Sequence, residues 1–350
     1  MIPFFRRRQK VSVGLDIGSA YVKAAVVDHS GIEPELTRVA YLPLVADAIV
    51  EGEILDPPLV AETIRAVIDS LGIPVRSVAT AVGGRDIMIK QIQMDRMPAE
   101  DAREVIRWEA EQYVPFDMAN VQLDFQILDP EEDGLQMNVL LVAAKRELID
   151  QRMLLLQEAG LTPAIVDVDA FALHNAFEYN YPDASRGLTV LVNVGSEVTS
   201  VLVQLEGVPV VTRDMPFGTR RLREEIRRMH GLSQDEADAA LRGSAGEMER
   251  YLPLLNERAE EVAMGIERAI AFLSLSATVA RGPGAVFLSG GGARLPRLAD
   301  VIANRLHTRI ELANPLQRLR IHPDATSHFP ADELAPMLML PIGLALRHVA

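Results

Sequence analysis

The sequence predicts an α/β chain of two lobes with a small insert in the first, and three observations lead there. One short segment occurs twice: Val13-Gly14-Leu15-Asp16-Ile17-Gly18-Ser19-Ala20-Tyr21-Val22-Lys23 and Leu191-Val192-Asn193-Val194-Gly195-Ser196-Glu197-Val198-Thr199-Ser200. Both run apolar, then Asp or Asn, an apolar residue, Gly and Ser, then a second β-branched stretch. A third glycine motif, Ser289-Gly290-Gly291-Gly292, follows a short apolar strand. Strands and helices alternate along the rest of the chain, as in an α/β fold. Each copy of the repeat reads as a hairpin whose turn offers N–H groups and a hydroxyl to a phosphate, because glycine permits close approach and positive φ. Two copies imply two phosphate clips facing each other across a cleft.

The elements follow in order. Val11–Ile17 and Val22–Asp28 are the arms of the first hairpin. Pro58–Leu71 carries its apolar residues at helical spacing and is stopped by Gly72. Val75–Val82 is a strand closed by Gly83-Gly84. An insert of αββαβ pattern is expected from about Asp86 to Pro163. Its first helix starts at Met97-Pro98 and ends at Tyr113-Val114-Pro115. Strands Val121–Leu128 and Asn138–Ala144 flank an acidic turn, Asp129–Gly134. Lys145–Ala159 is a helix ended by Gly160, and Leu161–Val168 a strand. Ala170–Tyr181 is helical. The second half opens with strands Leu188–Val194, Val198–Leu205 and Val208–Met215. An Arg-rich helix, Gly218–His230, comes next, and Ser233-x-x-Glu236 is a capping box. Leu255 to Ala277 marks a long helix. Ala285–Leu288 feeds the glycine triplet, and a helix over Leu295–Leu306 follows it directly. Pro336 to Ala350 reads as a core-packing helix. The domain division is therefore 1–84 with 164–184 for the first lobe, 85–163 for the insert, and 185–350 for the second lobe, whose closing helix returns to the first.

Composition narrows the function. With 350 residues the chain can bury two or more cores. A net charge of −14 argues against a general nucleic-acid role. There is no cysteine, so disulfides, thiolate zinc sites and cysteine nucleophiles are excluded, which suits a reducing cytosol. The basic run Met1 to Lys10 fits either a membrane surface or a solvated terminus. No apolar stretch has the length of a signal core or a span, so the chain is expected to be neither exported nor transmembrane by its own means.

The motifs assign candidate roles. Asp16 would orient Mg²⁺ directly or through water, and Gly18 and Ser19 would touch the β- and γ-phosphates of a nucleotide. Lys23 would reach the same phosphates or solvent. Asn193, Gly195 and Ser196 form the second clip, where an amide brings no charge, so the metal is held less firmly and hydrolysis is slowed. Gly290, Gly291 and Gly292 would let the backbone lie against an adenosine and its α-phosphate near a helix N-terminus. Gly218, opening the Arg-rich helix, joins the nucleotide-contacting set. Asp167 or Asp169 would position an attacking water, and a strand end with a helix N-cap explains them equally. Arg220, Arg221, Arg223, Arg227 and Arg228 interleave with Glu224 and Glu225, the pattern of a solvated helix face. No Gly-x-x-x-x-Gly-Lys-Ser/Thr exists, so this is not a P-loop protein.

The ordered set of Asp-x-Gly-Ser hairpin, Asn-x-Gly-Ser hairpin and strand-Gly-Gly-Gly-helix resembles the actin-like ATPase superfamily of actin, sugar kinases, heat-shock chaperones and the division protein FtsA. That resemblance implies a duplicated, ribonuclease H-like two-lobed fold, with an insert in the position of FtsA's subdomain 1C. Trp108-Glu109-Ala110-Glu111-Gln112-Tyr113-Val114-Pro115-Phe116-Asp117 and Leu123-Asp124-Phe125-Gln126-Ile127-Leu128 are similar to the PilM family of type IV pilus assembly. The family resemblance implies ATP and Mg²⁺ between the lobes, and a groove holding the N-terminal cytoplasmic peptide of the inner-membrane protein PilN. It implies a cytoplasmic scaffold, peripheral to the inner membrane through PilN, and leaves open a slow ATPase or a nearly inert ATP binder. The ribose-contacting Ala-Glu-x-x-Lys pattern of the superfamily aligns near Ala237-Asp238, where Leu241 stands in place of Lys, so Glu236 and Asp238 are the residues the resemblance offers for a ribose contact. FtsA carries an amphipathic membrane tail, and with the closing helix ending at Ala350 a division role is not expected. A filament-forming division or shape protein and a sugar-kinase-like phosphotransferase are the alternatives.

Overall fold

The computed structural model of the chain describes residues 10–129, 134–274, 282–327 and 330–347. The basic run at residues 1–9, most of the acidic turn, Ala277 at the end of the long helix, and residues 348–350 lie outside them. The chain divides into two compact units, one holding the residues up to Ala81 and from Leu155 onward, the other Val82–Leu154.

In the first unit, β1 (Val11–Ile17), β2 (Tyr21–Asp28) and β3 (Glu35–Pro43) are successive antiparallel strands. A two-residue-armed hairpin, β4 (Ile49–Val50) and β5 (Glu53–Ile54), leads into α1 (Pro57–Ser70). Prolines at the first helical positions and the Asp56 carboxylate, accepting from Leu59 N–H at 3.1 Å, set the start of α1. Its buried face, Val60, Ala61, Ile64, Val67 and Ile68, covers one side of the sheet. β6 (Ser77–Val82) then pairs parallel to β1.

The second unit contains β7 (Ile87–Asp95), α2 (Ala99–Glu111), β8 (Val121–Ile127), β9 (Gln136–Lys145) and the start of α3 (Arg146–Glu158). Its antiparallel sheet has the order β7-β9-β8, closed by α2 through Ala102, Ile106 and Ala110. The leading strand β7 was not foreseen. Its first half is an apolar run cut off by Lys90, and the alternation that does appear is confined to Gln91–Asp95, so no single pattern spans the strand. The strand expected to end the insert, β10 (Thr162–Val168), instead joins the first lobe's sheet beside β6.

The chain continues through α4 (Asp169–Asn180), β11 (Leu188–Val194), β12 (Thr199–Leu205), β13 (Val208–Met215), α5 (Thr219–His230), α6 (Gln234–Leu241), α7 (Leu252–Ser274), β14 (Ala285–Ser289), α8 (Leu298–Leu306), β15 (Arg309–Leu312), β16 (Arg320–Ile321), α9 (Ala331–Leu334) and α10 (Met339–Leu346). The two large sheets repeat one plan. The order is β10-β6-β1-β2-β3-β16 in one and β15-β14-β11-β12-β13 in the other, with matching parallel and antiparallel pairs. Even the irregularity recurs: the register shifts at Val26/Val27 against β3 and at Val203/Gln204 against β13. This duplicated order is that of the actin-like ATPase fold.

The outer face of the second sheet is covered by α5 to α8 around Val190, Val192, Leu222, Ile226, Val262 and Ile266. Between the two sheets lie α4 and α10. Leu173 and Phe177 of α4 pack with Leu191, Leu202 and Phe287 on one side, and Ala172, Leu340 and Leu344 pack with Ala79 and Ala81 on the other. Two glycines let these layers close. A Cβ on Gly14 would fall 2.0 Å from the Pro341 carbonyl oxygen, and one on Gly343 would fall 1.7 Å from that of Ala172.

Candidate functional site

The two Gly-Ser turns fold alike. Gly18 N–H donates to Tyr21 O at 3.1 Å, and Gly195 N–H donates to Val198 O at 3.0 Å. Both glycine amides are thus used inside their own turns. A Cβ on Gly195 would lie 2.7 Å from the Val198 carbonyl oxygen, which fixes glycine there. Half-buried Ser19 and Ser196 follow, and no described residue bonds to the amide or hydroxyl of either. These are the groups of each turn left for a ligand.

The flanking pairs differ. Asp16 is opposite Lys23 in the β1–β2 register, and Asn193 is opposite Ser200 at the equivalent place in β11–β12. Lys23 Nζ lies 2.5 Å from the buried Asp16 Oδ2, and among the described residues this ion pair is that oxygen's one polar contact. In the second clip the pair is neutral, and the Ser289 hydroxyl is shared between the Val192 carbonyl at 3.1 Å and Asn193 Oδ1 at 3.3 Å.

The glycine triplet wraps the second clip. A Cβ on Gly290 (φ +84°) would meet Val194 O at 2.4 Å and Asn193 Oδ1 at 2.8 Å, and one on Gly292 would meet Val194 Cγ1 at 2.4 Å. The amides of Gly290 and Gly292 donate to Pro336 O and Val194 O at 2.8 and 2.9 Å. Packing within the protein therefore accounts for these two glycines, whereas a Cβ on Gly291 would meet nothing within 4 Å. The expected helix directly after the triplet is displaced: the chain makes turns through Arg297 (φ +71°) and α8 begins only at Leu298. That helix N-terminus does not adjoin the triplet in sequence. The start of α5 does reach the clip, but its Thr219 and Arg220 amides donate to the Gly195 and Ser196 carbonyls at 3.1 and 2.8 Å. Gly218 permits that approach, since its Cβ would fall 2.2 Å from Ser196 O.

The acidic candidates sit in structural settings. Asp169 opens α4, where a negative charge suits the helix N-terminus. Asp167 is buried and its carboxylate accepts from Arg347 Nη1 at 2.8 Å. Glu236 is exposed in its capping box, accepting from both Ser233 N–H and Ser233 hydroxyl at 2.8 Å. The Ser233 amide and then the hydroxyl hold the Glu236 carboxyl below the usual glutamate range. Most of the arginine cluster pairs along the surface, as in Arg221–Glu225 and Arg227–Glu224. Arg220 does not: its guanidinium binds Glu197 Oε1 at 2.7 Å and also Asp47 of the first lobe. Asp47, Glu51 and Glu197 were not singled out from sequence, where the Glu51-Gly52 step between Ile49-Val50 and Glu53-Ile54 was the available signal.

Among the described residues no three His, Cys, Asp or Glu side chains group as metal ligands, so an ion here would rest on Asp16, a ligand and water. No helix among them is long and apolar enough to cross a membrane.

Comparison with known proteins adds to this geometry. A solved PilM–PilN type IV pilus biogenesis complex matches with a TM-score of 0.82 at 27% identity, covering 97% of this chain and 99% of that one. The ethanolamine utilization protein EutJ from Carboxydothermus hydrogenoformans matches at TM-score 0.57 and 17% identity, covering 97% and 90% of the two chains, a likeness of fold alone. The family model described as type IV pilus assembly protein PilM matches residues 14–349, and the chain therefore belongs to the PilM family of type IV pilus assembly proteins.

Proposed function

We propose that the chain binds Mg-ATP through its two clips and serves as a cytoplasmic scaffold that holds the N-terminal peptide of a PilN-like inner-membrane protein. The observation that carries the nucleotide reading is the Gly-Ser turn beside the buried Asp16–Lys23 pair, whose serine amide and hydroxyl have no partner among the described residues. A ligand would satisfy these groups. Asp16 would hold the ion. Ser19 and Ser196 would donate to phosphate oxygens, Lys23 would balance the charge, and Gly291 would leave room for the nucleotide's body. Bound Mg²⁺ neutralises phosphate charge. Asn193 adds no second charge, which favours slow turnover. Gly18, Gly195, Gly218, Gly290 and Gly292 act by shaping the loops. Roles for Asp169 and Glu236 toward the nucleotide have less support, since helix-terminal chemistry explains both.

The partner reading rests on the 27% identity and near-complete coverage to a PilM–PilN complex. Physically, strand addition suffices. In the second unit's sheet β8 is an outer strand, and its Leu123, Phe125 and Ile127 alternate with exposed polar residues. Trp108 of α2 is 74% exposed in the same unit, and as the chain's single tryptophan it is a built-in fluorescence reporter. The test is a titration of the PilN N-terminal peptide, with and without Mg-ATP, following Trp108 emission and peptide anisotropy. Saturable binding is expected, and Asp16→Ala should abolish Mg-ATP binding while leaving the apo protein able to take peptide. No peptide binding under either condition would return the function to the filament and kinase alternatives. Unchanged ATP affinity in Asp16→Ala would remove the phosphate assignment.

A further inference from the structure

We propose that the segment Leu44–Ile54 of the first lobe is a latch that ties the two clips together, so that clip geometry and lobe separation change as one. At its start, Leu44 N–H donates to the carbonyl of Ala20, the residue after Ser19 in the first clip, at 2.8 Å. Further along, the latch crosses to the second clip. Glu51 N–H donates to Glu197 Oε2, and Asp47 Oδ1 accepts from Arg220. Glu197 directly follows Ser196. One segment therefore touches both Gly-Ser turns, although they belong to different lobes.

The chemistry of the crossing is specific. Arg220 presents a planar fork, and each of its two terminal nitrogens takes a carboxylate from a different lobe: Glu197 from the second, Asp47 from the first. Glu197 in turn divides its two oxygens between Arg220 and the Glu51 amide. The second clip cannot move without Arg220, because the Arg220 amide is itself bonded to Ser196 O at 2.8 Å and Gly218 is packed against the same carbonyl. Displacement of Ser196 and Glu197 is thereby carried into the hairpin through contiguous bonds.

The backbone of the segment is held in an uncommon shape. Asp47 (φ +67°) and Glu51 (φ +50°) are both left-handed without being glycine. Glu51-Gly52 forms the two-residue loop joining β4 and β5, where positive φ at both positions is needed and Asn-Gly is the common choice. A glutamate there presents its N–H outward to Glu197. Strained positions of this kind persist where the surroundings over-determine them, and here the surroundings are the other lobe.

The chain has no cysteine, so Glu62→Cys on α1 and Arg228→Cys on α5, both at exposed positions, give a unique pair for nitroxide labels. Pulsed electron resonance would read the interlobe distance in the otherwise intact chain. Without nucleotide, Asp47→Ala and Arg220→Ala should each broaden the distribution toward longer distances. Arg221→Ala, whose partner Glu225 is on its own helix, should leave it unchanged. Circular dichroism would confirm folding, and Asp47→Asn, a surface change that keeps side-chain size, serves if Arg220→Ala unfolds. Distributions superposing on the parent in both Asp47 and Arg220 variants would overturn the latch. A second arm rests on the proposed nucleotide site: saturating Mg-ATP should shift the parent's distance, and the shift should shrink in the latch variants. An undiminished shift would overturn the coupling. Failure of Mg-ATP to bind in equilibrium dialysis would sink the nucleotide reading while the apo distances still decide the latch.

Discussion

Replacing Gly343 by alanine should destabilise the chain although alanine is the better helix former. In an exposed helix the exchange gains about 1 kcal/mol. Here the new Cβ would lie 1.7 Å from Ala172 O, 2.7 Å from Ala172 C and 3.2 Å from Ala176 N, all backbone atoms of α4. Backbone cannot rotate away as a side chain can. Ordinary van der Waals separation is roughly 3.5 Å, so α10 and α4 must part by ~1.5–2 Å. Losing even about 1 Å forfeits up to half of each dispersion contact, and the contacts at stake include Ala172, Leu340 and Leu344. Overpacking at the upper end of the usual ~1–3 kcal/mol, as a backbone clash demands, less the propensity gain of about 1 kcal/mol, leaves a net loss of about 2 kcal/mol. At ~2–4 °C per kcal/mol the melting temperature should fall by roughly 4–8 °C. Urea titration followed by circular dichroism, alongside a thermal melt, would measure this. Gly246→Ala is the control, since its Cβ would meet nothing within 4 Å. A Gly343→Ala variant as stable as the parent would mean that the helices are not backbone-close there, and the account of the interlobe layer would fail.

Two further outcomes are expected. Asn193→Asp should restore charge to the second clip, with the Ser289 hydroxyl still able to donate to the carboxylate, and raise Mg-dependent phosphate release by roughly tenfold. An unchanged rate, measured by phosphate detection, would place Asn193 away from the ion. Ser233→Ala should break the α6 capping box and lower the melting temperature by ~2–4 °C near neutral pH. Because the Glu236 carboxyl is held below the ordinary 4.5, its share of the box is present above that value and is lost as pH falls through the depressed one. The gap between parent and variant should therefore narrow in acid, where the bond from the Glu236 N–H to the Ser233 hydroxyl is the part that remains, and a gap that stays constant until the carboxyl is fully protonated would contradict this linkage.

Much of the fold was legible because strong local signals agreed with the tertiary plan. The repeated Asp/Asn-x-Gly-Ser segment fixed the duplication, and the apolar β11 and β12 and the apolar face of α7 are buried as their pattern implied. What escaped were elements whose pattern is carried by partners and not by the strand itself. β7 mixes exposed polar residues into its apolar run and is defined by pairing with β9. The short β4–β5 hairpin has only two residues per arm. At the site, glycines were visible but their reasons were not. Gly218, Gly290 and Gly292 answer to neighbouring backbone and side chains, and only Gly291 opens onto free space. Arg220 looked like one of five arginines on a wet helix face, because its interlobe carboxylate, Asp47, lies more than 170 residues earlier in the chain.

The packing of α10 against β1 has a consequence for synthesis. Gly14, in the first strand of the fold, is sealed by Pro341 and Ala345, roughly 330 residues later. The same late helix fills the layer beside α4 that both sheets share. Until it emerges, Ala25, Val27, Ala79 and Ala81 face water on a nascent sheet, an adhesive surface for other growing chains. The second unit, with its own core around Ile106, Val139 and Leu141, can close long before. Closure of the layer between the two sheets should thus wait for α10, after the second unit has formed its own core.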